Sequence, residues 1–343
     1  MAGACRAYWN RVSRIPLRRF SSGGAILCFH SVTTPRLPAE GTAHVSVDAF
    51  TSFVRLARDL GELVPLSELV RRHVQGRRTS GLVAVTFDDA YAALSAELRD
   101  VLSRDRVPIA IFVVTGAAAD GRRYWWDRIE DLVPRVTPDR WRAFETACGL
   151  PDEYRLGQPA AHGPLRPIRQ WLLARYAGRW PRRLESALAA LEREAGYQTL
   201  HRSMTFEELA GLTTLPGVEV GVHTVSHRVM PLLSDQDLHA EIRDSYTALR
   251  ERFTGVLPIL AIPFGLYDAR TLHAARSAGM MACFTLAGAS LDGACRDAIP
   301  RFCLTRSDTR ARLGLRLLGV PDLVRRYSGR APEAYPALPS PTT

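Results

Sequence analysis

Two histidines and two aspartates have a spacing that could bind a metal ion. His223 and His227 follow the valine-rich stretch "VEVGV", and Asp88 and Asp89 follow "LVAVTF". A spacing of four brings two side chains to one side of a helical turn. Two imidazoles and one carboxylate leave coordination positions open, as a catalytic zinc or a related divalent metal requires. The second aspartate could then act as a base toward water.

Each half of this set also has an ordinary structural explanation. An HxxxH pair is common by coincidence, and one of the two aspartates could cap a helix that begins at Ala90. A cap accounts for one aspartate and leaves the other unexplained. Two neighbouring carboxylates repel each other, which raises the pKa of one of them, and a bound cation removes that penalty.

The elements that must position these side chains alternate between short apolar runs and helical patterns. The strand-like runs, all continuously apolar, are 25–30, 82–87, 108–114, 218–222, 257–264 and 282–287. The helical patterns are 47–61, 90–105, 234–255 and 268–279. Strands that are apolar on both faces are typical of parallel sheets covered by helices. We therefore expect a barrel or a doubly wound sheet, with functional residues at the carboxyl ends of the strands.

The domain organisation follows from departures from this alternation. Residues 116–205 predict a helical insertion within a barrel that spans 24–330. The basic segment 1–23 lacks the apolar core of a secretory signal, and 331–343 is rich in proline and is expected to be disordered. No apolar run reaches the roughly 18 residues of a membrane helix. We expect a cytoplasmic protein that could also lie at a membrane surface.

The net charge of +10 comes from arginine alone, because the chain has no lysine. This composition, together with the abundance of alanine, is typical of GC-rich codon usage, which weakens a functional interpretation of the arginines. A membrane surface or a polyprenyl-phosphate carrier remains open as an anionic partner. The arginines are dispersed and no nucleic-acid motif occurs, so a nucleic-acid partner is not expected. The six scattered cysteines contain no CxxC pair and predict free thiols in a reducing compartment.

Several segments together resemble the signature segments of the polysaccharide deacetylases, carbohydrate esterases of the NodB-homology type. The core segments are "VTFDDAY", "GVHTVSH" and "AIPFGLYD", in this order. Three further segments, "LCFHSV", "RYWWD" and "MTFEELAGL", resemble the branch found with bacterial surface-glycan biosynthesis. The similarity covers about residues 25–305.

The resemblance implies a fold, a reaction and a site. The fold is an α/β distorted (β/α) barrel of about seven parallel strands, and the reaction is hydrolysis of an N-acetyl group on a sugar. Asp88 would be the general base. One divalent metal, Zn²⁺ first and Co²⁺, Mn²⁺, Ni²⁺ or Fe²⁺ as alternatives, would be held by Asp89, His223 and His227. Substrate contacts are expected from Pro263, Phe264, Gly265 and Arg301.

Three positions depart from the family pattern. Ala90 stands where most relatives have glycine, and Ala261 stands where many have an arginine that steers the base. The chain also has no histidine after His273 that could act as the late general acid. We expect Arg301, in "IPRFCL", to replace the missing arginine from another strand end. We expect His30, at the exit of the first strand, to supply the acid, or else to hydrogen-bond within that strand.

These observations predict a metal-dependent hydrolase that removes acetyl from an N-acetylated sugar, such as a nucleotide- or lipid-linked precursor. A deformylase on such a sugar and an inactive relative that binds glycan are the alternatives. A two-histidine, one-carboxylate iron oxygenase is disfavoured by the barrel and by the second aspartate. Trp125 and Trp126 could stack on sugar rings, although we expect at least one of them to pack in a core.

Overall fold

A computed structural model describes this chain over residues 23–39, 41–152, 155, 166–177 and 182–320. The strands are β1 (Ala25–Phe29), β2 (Ser31–Thr33), β3 (His44–Ser46), β4 (Glu62–Leu63), β5 (Leu82–Phe87), β6 (Ile109–Val113), β7 (Val218–Val222), β8 (Ile259–Ala261), β9 (Ala282–Phe284) and β10 (Phe302–Cys303). The α-helices are α1 (Val47–Leu60), α2 (Leu66–Val74), α3 (Arg99–Arg104), α4 (Thr115–Ala118), α5 (Trp125–Leu132), α6 (Pro138–Cys148), α7 (Arg166–Tyr176), α8 (Arg182–Ala195), α9 (Phe206–Thr213), α10 (Asp235–Arg250), α11 (Ala269–Ser277) and α12 (Arg310–Leu317).

The main sheet is a curled, all-parallel sheet with the strand order β10-β1-β5-β6-β7-β8-β9, and β4 pairs beside the start of β5. Residues just before β10, together with β10 itself, connect the two edges of this sheet. Ile299 forms a parallel bridge to Phe284 of β9, and β10 pairs with β1. The fold is the distorted (β/α) barrel of about seven parallel strands that the resemblance implies, rather than a doubly wound sheet.

Alternate side chains of the strands enter two separate hydrophobic clusters. Leu27 and Val85 belong to the cluster that includes most of the surrounding helices, whereas Ile26, Ala84 and Phe112 belong to a second cluster, which joins side chains of β1, β5, β6, β8 and β9 to those of α2. Successive side chains of a strand point to opposite faces, so one face meets the helices and the other fills the curled sheet. Both faces are covered, which explains the continuously apolar strands.

The chain after β5 does not continue directly into a helix. The helix expected from Ala90 begins only at Leu94, as a single π-helical turn. Asp89 and Ala90 have left-handed φ values of 66° and 50°, and Tyr91 forms a bridge to Ser203. Neither aspartate caps the helix, so the alternative that one of the two serves as its cap was wrong.

Several other elements are shorter than the sequence pattern indicates, among them the strand expected at 282–287, which ends at Phe284. The strand expected at 257–264 is limited to Ile259–Ala261, because Pro263 opens a 3₁₀ turn that no ladder can continue. The helix that begins after Ser234 ends at Arg250, before the glycine at which it was expected to stop.

Helices α4 to α8 lie between β6 and α9, in the region where the sequence predicts an insertion. It has a hydrophobic core of its own, which includes Leu132, Trp141 and Leu188. The basic segment and the proline-rich tail that the sequence predicts at the two ends lie outside the described residues. Among the described helices, none combines the length and apolar character needed to cross a membrane.

Candidate functional site

The carboxyl ends of β5 and β7 bring the three predicted metal ligands together. The ligand atoms of Asp89, His223 and His227 lie within 4.8 Å of one another. Asp89 Oδ1 is 3.4 Å from His223 Nε2 and 3.3 Å from His227 Nε2. All three side chains are buried. The structure thus places the predicted donors around one point.

The hydrogen bonds around these donors suit a metal ion. His223 Nδ1 donates to the backbone oxygen of Ala261 at 2.7 Å, which leaves the Nε2 lone pair free toward Asp89. Asp89 Oδ1 is buried and accepts no hydrogen bond from any described residue. An unpaired buried carboxylate oxygen is costly, and a divalent cation between it and the two imidazoles would remove that cost. The residues present therefore fit a metal.

The HTVSH segment reaches this arrangement as a loop, not as the helical turn that its spacing suggested. Thr224 and His227 have left-handed φ values of 65° and 54°. His227 N donates to Thr224 Oγ1 at 3.0 Å, which closes the loop. Most of the non-glycine residues with positive φ in the described chain border the site: Asp89, Ala90, Thr224, His227 and Phe264. Such conformations persist only where the surroundings impose them, and they concentrate at functional sites.

Glu241 of α10 holds this loop, and the sequence reasoning missed it. Its carboxylate accepts hydrogen bonds from Val225 N at 2.9 Å and from Ser226 N at 2.8 Å, and the Ser226 hydroxyl also donates to it. The sequence did contain an indication of this role, because Glu241 lies on the apolar face of its helix with Leu238 and Ile242. A carboxylate on a buried helix face needs such partners.

Asp88 lies beside the three donors and forms a bidentate ion pair with Arg301. Arg301 Nη1 and Nη2 donate to the two carboxylate oxygens of Asp88 at 2.7 and 2.6 Å. Burial alone would raise the pKa of Asp88, but the Arg301 charge, and next that of His223, hold it well below its usual range. Arg301 was expected among the substrate contacts, yet it is 0 % exposed. Its guanidinium reaches Asp88 and not the cleft, so that expectation needs correction.

His30 follows β1 and lies partly exposed at the same end of the barrel. Its Nδ1 is buried and has no hydrogen-bond partner among the described residues. Burial by itself lowers the pKa of His30, but the adjacent Cys303 thiol, and then the charges of Asp89 and Asp88, raise it to about 9. The imidazole is therefore protonated near neutral pH, as a proton donor must be.

Aromatic side chains line one wall of the site. The Trp126 ring lies 4.9 Å from that of His227 and stacks on Tyr124 at 4.6 Å. The turn Pro263–Gly265 sets the Phe264 ring 4.5 Å from that of His227. Trp125 packs in the core of the insertion. The turn Pro263–Gly265 was predicted to contact the substrate. Within it, the Phe264 ring lies beside the predicted metal ligand His227.

A buried polar network behind this wall was not predicted. Tyr91 donates to Asp127 Oδ2 at 2.6 Å, and Trp126 Nε1 donates to the Tyr91 hydroxyl at 3.0 Å. His44 Nε2 lies 2.8 Å from the other Asp127 oxygen. Burial raises the pKa of Asp127 to about 7. The network fixes the orientation of the Trp126 indole, and it joins residues too distant in sequence for a pattern to connect.

Residues 185–283 match the family model described as polysaccharide deacetylase. The matched segment contains His223, His227 and the turn Pro263–Gly265, and Asp88 and Asp89 lie before it. The resemblance to polysaccharide deacetylases is confirmed. No curated protein sequence matches the chain.

Solved deacetylase structures share the fold. IcaB from Ammonifex degensii has a TM-score of 0.55 at 17% identity, over 86% of this chain and 97% of IcaB. The Streptococcus pyogenes deacetylase PplD, in complex with acetate, has a TM-score of 0.54 at 15% identity, over 85% of this chain and 97% of PplD. A polysaccharide deacetylase from Bacillus cereus has a TM-score of 0.51 at 12% identity, over 86% of this chain and 68% of its own. At such identities the likeness is one of fold.

The structure shows the surroundings of the positions that depart from the deacetylase pattern. Ala90 adopts a left-handed φ, which costs an L-residue roughly 1–2 kcal/mol and glycine almost nothing. Ala261 offers only its backbone oxygen to the site, through the bond from His223. The guanidinium beside the Asp88 carboxylate comes from Arg301, just before β10. The pair is intact although its arginine comes from a different part of the chain, beside β10.

A cavity of about 1330 Å³ opens beside His227 and Trp126, between the barrel and the insertion. Its lining is rich in arginine, namely Arg122, Arg123, Arg128, Arg175, Arg182, Arg202 and Arg228. Glu185 and Glu192 neutralise Arg128, and Asp237 pairs with Arg228. No carboxylate partner from the described chain is seen for Arg123, Arg175 or Arg182. The cavity therefore carries an excess of positive charge.

Replacing His223 or His227 with alanine should remove most of the bound metal. Each histidine supplies one of only three protein ligands. Metal analysis of the protein as purified, before any metal is added, should find about one divalent ion per chain and little in either variant. His273→Ala, which changes an exposed histidine on α11, should retain the wild-type content. Equal occupancy in all of these proteins would reject the ligand assignment.

Proposed function

We propose that this protein is a metal-dependent hydrolase that removes the N-acetyl group from a sugar within a glycan precursor. The observation that carries the proposal is the buried group of Asp89, His223 and His227 directly beside the Asp88–Arg301 pair. The deacetylase match over residues 185–283 supports the reaction class. The PplD structure, which holds acetate, is compatible with acetate as the product.

Each residue of the site has its own role in the proposed reaction. A metal held by Asp89, His223 and His227 would supply Lewis-acid chemistry, which would polarise the acetyl carbonyl and acidify the attacking water. Asp88 accepts the proton of the attacking water, and Arg301 keeps its carboxylate ionised and oriented. His30 donates a proton to the departing amine. Trp126 and Phe264 exclude water from the side of the site near His227.

The charge of the neighbouring cavity supports an anionic substrate. Guanidinium groups bind phosphate well, because their fork of donors matches phosphate oxygens. An acetylated sugar at the metal donors could extend a phosphate or diphosphate group toward Arg123, Arg175 and Arg182. A nucleotide-linked or polyprenyl-phosphate-linked sugar has this chemistry. We therefore assign the substrate to phosphate-linked N-acetyl sugars, with a membrane-surface location as a corollary of a lipid carrier.

The proposal is tested by incubating the zinc-loaded full chain with matched N-acetyl sugars, neutral and phosphate-linked, followed by mass spectrometry. We expect loss of one acetyl group, fastest on phosphate-linked sugars, and no loss with Asp88→Asn. Preference for the neutral sugars would reject the substrate class and leave the reaction standing. Removal of formyl but not acetyl would identify a deformylase. Binding without turnover in metal-loaded protein would identify a glycan-binding relative.

His30→Gln should lower kcat by roughly a hundredfold or more, the usual contribution of a positioned proton donor. His30 must be protonated to act, and its pKa is raised to about 9, so wild-type activity should fall as the pH rises through about 9. This alkaline limb should flatten in His30→Gln, and a substrate with a better leaving amine should recover most. A folded, metal-loaded variant with full activity would show that the acid is another group.

A further inference from the structure

Two cysteines and one histidine meet beside the Asp88–Arg301 pair. One ligand atom from each of Cys28, His30 and Cys303 lies within 4.8 Å of the other two. The topology causes this arrangement. Cys28 and Cys303 are register partners on the adjacent parallel strands β1 and β10. His30 lies two positions after Cys28, and side chains two apart along an extended chain point to the same face.

The contacts of these three groups leave their donor atoms available. The Cys28 thiol makes long contacts, 3.5 Å to Asp88 Oδ2 and 3.8 Å to the backbone oxygen of Phe29, and its other neighbour is the Cys303 thiol of the same group. His30 Nδ1 is buried without a hydrogen bond to any described residue. By contrast, Cys283, another buried thiol, belongs to a hydrophobic cluster and to no such group. The three donors therefore do more than fill space.

We propose that Cys28, His30 and Cys303 form a second metal site, which takes a thiophilic divalent cation such as zinc or cadmium. Two thiolates and an imidazole are the soft donor set that these ions prefer. Zinc–sulfur bonds of about 2.3 Å place tetrahedral sulfurs about 3.8 Å apart. The donor atoms need to close by no more than about 1 Å from their observed separation to meet that geometry. The fourth position stays open to water.

Charge and access are compatible with binding. Binding releases one proton from each thiol and one from the His30 imidazolium, and the two thiolate charges then balance the divalent ion. The neighbouring Arg301 keeps its own partner in Asp88. His30 and Cys303 are partly exposed, which gives an ion a route from the cleft. The site differs from the first one in its donors, because Asp89, His223 and His227 contain no sulfur.

The second site has a consequence for activity that rests on the proposed function. An ion bound to the free nitrogen of His30 would occupy the group that donates a proton to the leaving amine. Zinc or cadmium bound at the second site should therefore inhibit, whereas the metal at the Asp89 site is the one that activates. Metal binding itself can be measured without reference to turnover.

The test is a cadmium titration of the reduced full chain, with ion content and the ultraviolet thiolate-to-cadmium band measured together. Wild-type protein should bind two ions per chain, with a thiolate band from one of them. Cys303→Ser and Cys28→Ser should bind one ion and lack the band. His223→Ala should bind one ion and keep the band. The control Cys295→Ser, at an exposed thiol, should behave as wild type.

The outcomes separate this inference from the proposed function. A band that disappears with Cys295→Ser, or survives in both Cys28→Ser and Cys303→Ser, would overturn the second site. A Cys28–Cys303 disulfide that mass spectrometry detects and that persists under reduction would overturn it as well. If the band follows Cys28 and Cys303 but no sugar loses its acetyl group, the site stands and the proposed function fails.

Discussion

Asp88→Asn is expected to lower turnover by about 10²–10⁴-fold while the protein keeps its metal. Asparagine cannot accept the proton of the attacking water, and a positioned base contributes rate of this order. Asp88 is not one of the grouped donors, and its two oxygens both face Arg301. The expected result is a metal-loaded, inactive enzyme, measured as kcat alongside metal content per chain.

Asp89→Asn provides the matched comparison, because it changes the adjacent residue in the same way. Asp89 Oδ1 is the buried oxygen that faces both imidazoles, so this variant should lose metal and activity together. If Asp88→Asn remains active while Asp89→Asn loses both properties, the metal assignment stands and another group must be the base. If Asp88→Asn also loses the metal, Asp88 is itself part of the metal site.

The parts of the fold that sequence predicted well depend on local pattern. The strands at 82–87 and 218–222 have the expected bounds, because buried parallel strands leave an uninterrupted apolar run. The donors at their exits followed from the rule that parallel strands carry function at their carboxyl ends. The resemblance added the roles, which the residue types alone left open.

Such local patterns could not predict the conformation of the loops. The spacing of His223 and His227 suggested a helical turn, but left-handed backbone at Thr224 and His227 brings the imidazoles together. That conformation depends on Glu241, which lies outside the loop, on α10. Local propensity cannot indicate a strained loop that tertiary contacts impose.

The geometry of two further features depends on closure of the barrel. Cys28 and Cys303 come into register only because β10 pairs with β1, the first strand of the sheet. The Arg301 guanidinium reaches Asp88 from just before the same strand. The sequence comparison indicated that an arginine was needed and suggested Arg301. The bidentate geometry and the complete burial of that arginine required the structure.

Arg301→Met should destabilise the protein by about 3–5 kcal/mol, because it leaves the buried Asp88 carboxylate without its partner. Activity should also fall, since an unpaired Asp88 is no longer held ionised and oriented as a base. Denaturant unfolding measures the first effect, and kcat of the folded, metal-loaded protein measures the second. Arg296→Met, at an exposed arginine nearby, should change neither.

The double variant Asp88→Asn/Arg301→Met distinguishes a buried ion pair from simple loss of packing. Arg301 lies over the rings of Phe112 and Phe284, with its guanidinium carbon 5.5 and 5.4 Å from their centroids, so packing alone could account for part of the cost. Removing both charges leaves no uncompensated ion, and the double variant should therefore be more stable than Arg301→Met alone. Activity should stay low, because the base is absent. Destabilisations that simply add would show that Arg301 acts through its contacts with the rings and not through the charge of Asp88.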